Sequence, residues 1–245
     1  SRRPEALNAA RQEIEAARAN PSQHVGALEG NIADRQQIVA VLSAYLQQYG
    51  PPDILVNSAG ITYPAMFADT PFEVFDDLMQ TNFHGTVNVI KTVLPGMAAR
   101  GSGQVTIVGS GGGFLALIGY SAYSASKFAL RALADVLRME YKHQGIKLHY
   151  VAPPDTQTPQ LAYENEFKPA ITRELVGSNS QVQTPENVAR VIARGMERNQ
   201  YMIVPGLEMK VYYNLVNGFG LFYFLLDFAL NRAWKKVYRS KRDGG

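Results

Sequence analysis

Ser110-Gly-Gly-Gly-Phe-Leu-Ala-Leu-Ile-Gly-Tyr-Ser-Ala-Tyr-Ser-Ala-Ser-Lys127 is the stretch whose reading decides the fold. Before it stands Gln104-Val-Thr-Ile-Val108, a β-branched run that reads as a buried strand. After it, Phe128 to Glu140 carries apolar residues at helical spacing. Ser110 therefore falls just past the C-terminal end of a strand, and Tyr123 and Lys127 fall at the start of a helix. Open α/β sheets place their ligands at such strand ends.

Tyr123 and Lys127 are four apart, so on a helix they share a face. An ammonium beside a phenol favours the phenolate, which predicts a lowered Tyr123 pKa and a general acid usable near neutral pH. Ser110 is placed to donate a hydrogen bond to a carbonyl oxygen that gains negative charge. Together these side chains suit carbonyl reduction, in which hydride reaches the carbon and Tyr123 protonates the oxygen.

Ser110…Tyr123-Ser-Ala-Ser-Lys127 resembles the active site of the short-chain dehydrogenases/reductases. The resemblance covers about residues 1–205 and implies an α/β fold, a doubly wound parallel Rossmann-like sheet in one domain. It adds Asn82 to the catalytic set, from Asn82-Phe-His-Gly85, where the family's asparagine helps hold a water that relays a proton to the lysine. It implies cofactor contacts from Asn31 and Ile32, from Asn57, Ala59 and Gly60 in Asn57-Ser-Ala-Gly60, and from Tyr123 and Lys127. Pro153, Thr156 and Thr158 stand where the family closes over the nicotinamide. Asn31 replaces the family's usual aspartate and Ser58 its second asparagine.

The family begins with a strand and a Thr-Gly-x-x-x-Gly-x-Gly loop that cradles the pyrophosphate. No Gly-rich loop of that kind follows a strand in this chain, so the resemblance implies that strand and loop precede Ser1. Arg2 and Arg3 then stand where the family's second strand ends, beside the adenosine ribose. An arginine forks a 2′-phosphate, so NADPH is the expected cofactor.

Pro153-Pro-Asp-Thr-Gln-Thr-Pro159, followed by Glu164-Asn165, resembles one subfamily, the 3-ketosphinganine reductases. That resemblance implies reduction of the 3-keto group of a long-chain keto-lipid in sphingolipid biosynthesis. It places the protein at the cytosolic face of the endoplasmic reticulum membrane, as a homo-oligomer. Alternatives are a reductase of another lipophilic carbonyl (steroid, retinoid or 3-oxoacyl) and a non-catalytic NADPH-binding regulator.

The 245 residues, 46% hydrophobic, suffice for one sizeable core. A net charge of +3 is too mild to argue for nucleic acid. There is no cysteine, and His24, His84, His143 and His149 lack ligand spacing, so no metal site is expected. Pro4 to Ala19 reads as a helix rather than a signal segment, and Gln23 to Leu28 as a short strand. Asp34 caps the next helix, and Thr70-Pro-Phe-Glu73 reads as a capping box opening one long helix. Residues 160–184 are polar with little periodicity and suggest a lid. Gly111 to Gly113 are expected to make room for an alkyl chain beside the reacting carbon.

The reductase domain is expected over residues 1–206, with 207–245 as a separate apolar and basic segment. Val211 to Leu230 is dense in aromatic and aliphatic residues but contains Asn214, Asn217 and Asp227. Lys235, Lys236, Arg239, Lys241 and Arg242 follow. Aromatic residues suit a bilayer interface and the basic run suits anionic headgroups, so docking on a membrane surface is the expectation.

Overall fold

The computed structural model describes residues 3–176, 182–218 and 232. Four strands form one parallel sheet in the order β1-β2-β3-β4: Ile54–Asn57, Gly103–Val108, Ile146–Val151 and Met202–Ile203. Asn57 pairs with Ile107 and Ile107 with Tyr150, which brings the C-terminal ends of β1, β2 and β3 to one rim. Consecutive residues of β2 and β3 are buried, as expected of strands covered on both faces. The expected Gln23–Leu28 strand does not form. A strand exists only through its ladder, and among the described residues β1 pairs on its β2 side alone.

Nine helices surround this sheet among the described residues: α1 Pro4–Ala16, α2 Arg35–Tyr49, α3 Phe72–Leu78, α4 Gly85–Arg100, α5 Ser121–Tyr141, α6 Pro159–Phe167, α7 Ala170–Val176, α8 Pro185–Glu197 and α9 Leu207–Gly218. The core joins Ile90, Val93, Leu94 and Met97 of α4 to Leu130, Ala134 and Leu137 of α5. Both helices press on Val105, Ile107, Leu148 and Tyr150 of the sheet. Leu42 and Leu46 of α2 pack from the side. Helix α1 ends at Ala16, not Ala19, and buries none of its residues.

Asp34 caps α2 as expected, accepting from the Gln37 amide at 3.0 Å. The capping box at Thr70 is not made. The Thr70 hydroxyl donates to the Met66 carbonyl at 2.8 Å and α3 begins without a side-chain cap. The long helix is interrupted as well. Met79–His84 is a π-helical turn between α3 and α4, a local widening common at functional sites.

The region expected to be a lid is largely built into the fold. Helices α6 and α7 flank Lys168, and Ile171 and Thr172 are fully buried. The Thr172 hydroxyl donates to the Ile118 carbonyl at 2.9 Å. Residues 177–181 of that stretch lie outside the described residues. Helix α9 also belongs to the packed body, because Met209, Tyr212, Tyr213 and Val216 rest on the core. Tyr213 meets Phe114 edge-on at 5.4 Å between ring centroids.

Gly109 follows β2 directly beneath Tyr150, whose phenol occupies the space a Cβ would need. Gly109→Ala should lower the unfolding free energy by ~1–3 kcal/mol, the scale of core overpacking. Gly26→Ala, in an exposed loop with a contact no nearer than 3.6 Å, should change it by less than about 0.5 kcal/mol. Equal urea midpoints for the two variants would refute the steric argument.

Candidate active site

Helix α5 begins with the site. Tyr123 and Lys127 lie on its first two turns, and Ser110 faces them from the loop after β2. The Ser110 Oγ accepts from the Gly112 amide at 3.1 Å, so the loop orients the hydroxyl. Gly112 is the glycine beside the phenol: a Cβ there would stand 3.3 Å from Tyr123 Cε1 and 3.5 Å from Ser110 Oγ. Gly111 and Gly113 serve packing instead, against Met209 and Tyr150 respectively. The expected three-glycine clearance reduces to one position.

Lys127 is buried, 5% exposed, and burial pulls its pKa down to about 8, opposed by the charge of Glu164. Its ammonium lies 5.5 Å from the centroid of the Tyr123 ring. Tyr123 is half-buried. Burial raises its pKa, while hydrogen bonds from Ser110 and Gln160 pull it down and the charges of Glu164 and Asp155 raise it further. This corrects the expected depression of the Tyr123 pKa: removal of the phenol from water outweighs the hydrogen bonds that favour the phenolate.

Asn82 sits in the π-helical turn with no exposed surface. Its Oδ1 accepts from the Ile61 amide at 2.8 Å, and its Nδ2 donates to the Ile61 carbonyl at 3.0 Å and to Ser126 Oγ at 2.9 Å. The side chain is thus spent on joining the loop after β1 to α5. In that loop, a methyl group on Gly60 would stand 3.2 Å from both Asn82 Oδ1 and Lys127 Nζ. The missing side chain at Gly60 lets backbone, amide and ammonium converge. Ala59 is exposed beside it, and the Asn57 Nδ2 is buried with no hydrogen-bond partner.

The other expected cofactor residues divide. The Pro153 carbonyl accepts from the Gly111 amide at 3.1 Å, which ties the loop after β3 to the Ser110 loop. The Thr158 hydroxyl caps α6, accepting from the Leu161 amide and donating to the Thr156 carbonyl; the Thr156 hydroxyl donates to Pro154. Asn31 accepts from the Ala33 amide, and Ile32 fills the space over Gly85, behind the π-helical turn. Arg3 is exposed at the N-cap of α1, and Arg2 lies outside the described residues.

Two residues at the site carried no catalytic expectation. Gln160, on the first turn of α6, is near enough to Tyr123 to pull its pKa down, and donates from Nε2 to Glu164 Oε1 at 3.1 Å. The buried Glu164 accepts from the Tyr120 hydroxyl at 2.8 Å. The Tyr120 and Tyr123 rings lie 5.8 Å apart. The sequence signal available for Glu164 was the Glu164-Asn165 pair.

A short chain dehydrogenase family model matches residues 1–169, more than half of the chain. A 3-ketodihydrosphingosine reductase of Bos taurus is 38% identical over 195 residues, covering 79% of this chain and 58% of that protein. A 3-dehydrosphinganine reductase of Danio rerio is 37% identical over 186 residues, covering 76% of this chain and 56% of that protein. The chain spans a little over half the length of these curated relatives. A short-chain dehydrogenase structure from Streptomyces avermitilis superposes with a TM-score of 0.73 at 28% identity, over 98% of this chain and 88% of that one. A gluconate 5-dehydrogenase structure from Burkholderia cenocepacia, in complex with NADP and tartrate, gives a TM-score of 0.71 at 22% identity over 86% and 84%, a likeness of fold alone. With the parallel sheet, the Ser110–Tyr123–Lys127 arrangement and these matches together, the chain belongs to the short-chain dehydrogenase/reductase family.

Proposed function

We propose that the protein reduces the 3-keto group of 3-ketosphinganine to a hydroxyl with NADPH. The observation that carries the reading is the placement of the Tyr123 ring between the Ser110 loop, which it meets at Gly112, and a buried Lys127 whose ammonium lies 5.5 Å from the ring centroid. The substrate is taken from the names of the relatives. A nicotinamide cofactor suits the residues present. The unpartnered Asn57 Nδ2 is a donor awaiting an acceptor, and the absent side chain at Gly60 brings backbone close to Lys127, beside which a cofactor would sit. When bound, that cofactor supplies the hydride.

The chain's own groups do the rest. Ser110 donates a hydrogen bond to the carbonyl oxygen as negative charge develops there. Tyr123 transfers its phenolic proton to that oxygen. Lys127, protonated below about 8, then stabilises the phenolate left behind. Asn82 keeps α5 and the Gly60 loop in register.

NADPH is chosen over NADH on the arginines at positions 2 and 3. Tyr123→Phe should lower kcat by more than about 100-fold, as loss of a general acid does, while NADPH binding persists. In the unaltered protein, NADPH should exceed NADH in kcat/KM by at least about tenfold, one charge-assisted fork being worth more than ~1.4 kcal/mol. A Tyr123→Phe protein that turns over normally refutes the mechanism, and equal use of NADH refutes the cofactor assignment.

We also propose docking on the cytosolic face of the endoplasmic reticulum membrane, where a long-chain substrate resides, with the protein as a homo-oligomer. No helix among the described residues is long and apolar enough to cross a membrane. Leu207, Val211 and Leu215 form an exposed apolar stripe on α9, opposite the face on the core. Residues 219–231, which hold most of the aromatic run, and the basic run after Trp234 lie outside the described residues. Because α9 packs on the core, a chain ending at Gly218 is the suitable variant. It should stop floating with anionic liposomes yet reduce a short soluble ketone as before. Continued flotation would locate docking elsewhere.

The same lysine makes a stability prediction. Folded, Lys127 releases its proton at about 8; unfolded, near its ordinary 10.5. Below pH 8 both states are protonated and the fold bears the whole cost of the buried charge. Between 8 and 10.5 unfolding takes up a proton, so this contribution makes stability rise with pH. Lys127→Met should be inactive but more stable at pH 7, by up to about 3 kcal/mol. Its advantage should fade toward pH 10.5 in urea unfolding, and a pH-independent difference would contradict the assignment.

A further inference from the structure

Helix α6 brings a carboxylate toward Tyr123 whose charge acts on both Tyr123 and Lys127. Glu164 reaches inward from α6 and is 8% exposed. Tyr120 and Gln160 each give it one hydrogen bond, and both are neutral. A carboxylate has about four lone-pair sites, so these two leave capacity unused. One cation serves two carboxylates: Lys168 Nζ is 3.2 Å from Asp155 Oδ2 and 4.0 Å from Glu164 Oε2. Lys168 also donates to Asn165 Oδ1 at 3.2 Å. Lys127 approaches Gly60 and Asn82 and forms no ion pair with Glu164.

We infer that Glu164, held by Tyr120 and Gln160, is the subsite that reads a cationic amine on the carbon next to the substrate ketone. The inference rests on the reductase reading above and specifies its substrate as an α-amino ketone. A buried carboxylate with an incomplete cation shell is costly unless a positive group completes it. Gln160 and Tyr120 both donate to Glu164, and the Tyr120 ring lies 5.8 Å from the Tyr123 ring, so a group bound at Glu164 lies close to the proton donor. A carbonyl oxygen at Tyr123 and an ammonium on the adjacent carbon match that span. An oxygen-only ketone leaves Glu164 as it is and gains nothing from it. Selectivity of this kind arises from differential binding of otherwise similar molecules.

The test uses the full chain with NADPH and three ketones of matched, short, soluble chains: a 2-amino-3-ketone, its N-acetyl derivative and the ketone lacking the amine. Wild-type kcat/KM should favour the free amine over both neutral ketones by at least about tenfold. That preference should decline as pH rises through the pKa of the substrate's own amine. In Glu164→Gln, the ratio of amino-ketone to plain-ketone kcat/KM should fall at least about tenfold. The ratio cancels any general damage transmitted through Gln160 to Tyr123. An unchanged ratio, or a wild-type enzyme that reduces all three ketones equally, overturns the subsite while leaving the reductase reading intact. Failure to reduce any of the three overturns the reductase reading itself. Should Glu164→Gln fail to fold, the wild-type preference and its pH dependence still decide the question.

Discussion

Asn82 is the contact on which the site's geometry depends. It is wholly buried, and its three hydrogen bonds reach the two backbone groups of Ile61 and the hydroxyl of Ser126. Ser126 in turn donates to the Tyr123 carbonyl at 2.7 Å. One amide therefore links the loop after β1, the turn before α4 and the first turns of α5. A buried amide left without these partners costs about 1–3 kcal/mol per lost group, so the arrangement is all or nothing. The π-helical turn fits this role, since its extra residue aims Asn82 at Ile61 rather than along the surface of a regular helix.

With the clamp in place, burial sets the electrostatics. The same desolvation moves the two partners in opposite directions. It favours neutral Tyr123 and neutral Lys127, raising the first pKa and lowering the second. The pair thus approaches a state in which the phenol holds a proton to give and the ammonium sits near its titration point. Ser110 and Gln160 counter this by offering hydrogen bonds to the developing phenolate. The site balances burial, which suppresses charge, against donors placed where charge must form.

The strand–loop–helix unit from Gln104 to Glu140 was legible because two independent signals agree there. β-Branched residues mark β2, and helical spacing marks α5. The helix cap at Asp34 is local and forms, and Thr158, which the resemblance places at the cofactor, caps α6. What failed was nonlocal. Gln23–Leu28 had strand composition but no ladder to join. Thr70 found a carbonyl four residues back instead of capping α3. Gln160 and Glu164 sit in a polar stretch without periodicity, and they join the site only because α6 folds back over Tyr120 and Tyr123, some forty residues earlier. No local pattern encodes such a contact. The Tyr123 pKa failed for a related reason: spacing identifies the neighbour, but only the fold sets the burial.

The Gly-rich loop shows how flexible residues become a rigid part. Four glycines in five positions carry a large entropy cost on ordering. Here each amide is held: Gly109 donates to the Val151 carbonyl, Gly111 to Pro153, Gly112 to Ser110 Oγ and Gly113 to the Ser110 carbonyl. Tyr150 closes the space at Gly109 and Gly113, and Met209 of α9 closes it at Gly111. The loop is therefore fixed from the sheet on one side and from α9 on the other. At Gly112 it is Tyr123 and Ser110 themselves that lie against the backbone. The packing that immobilises Ser110 thus also ties α9 to the loop that lies against Tyr123.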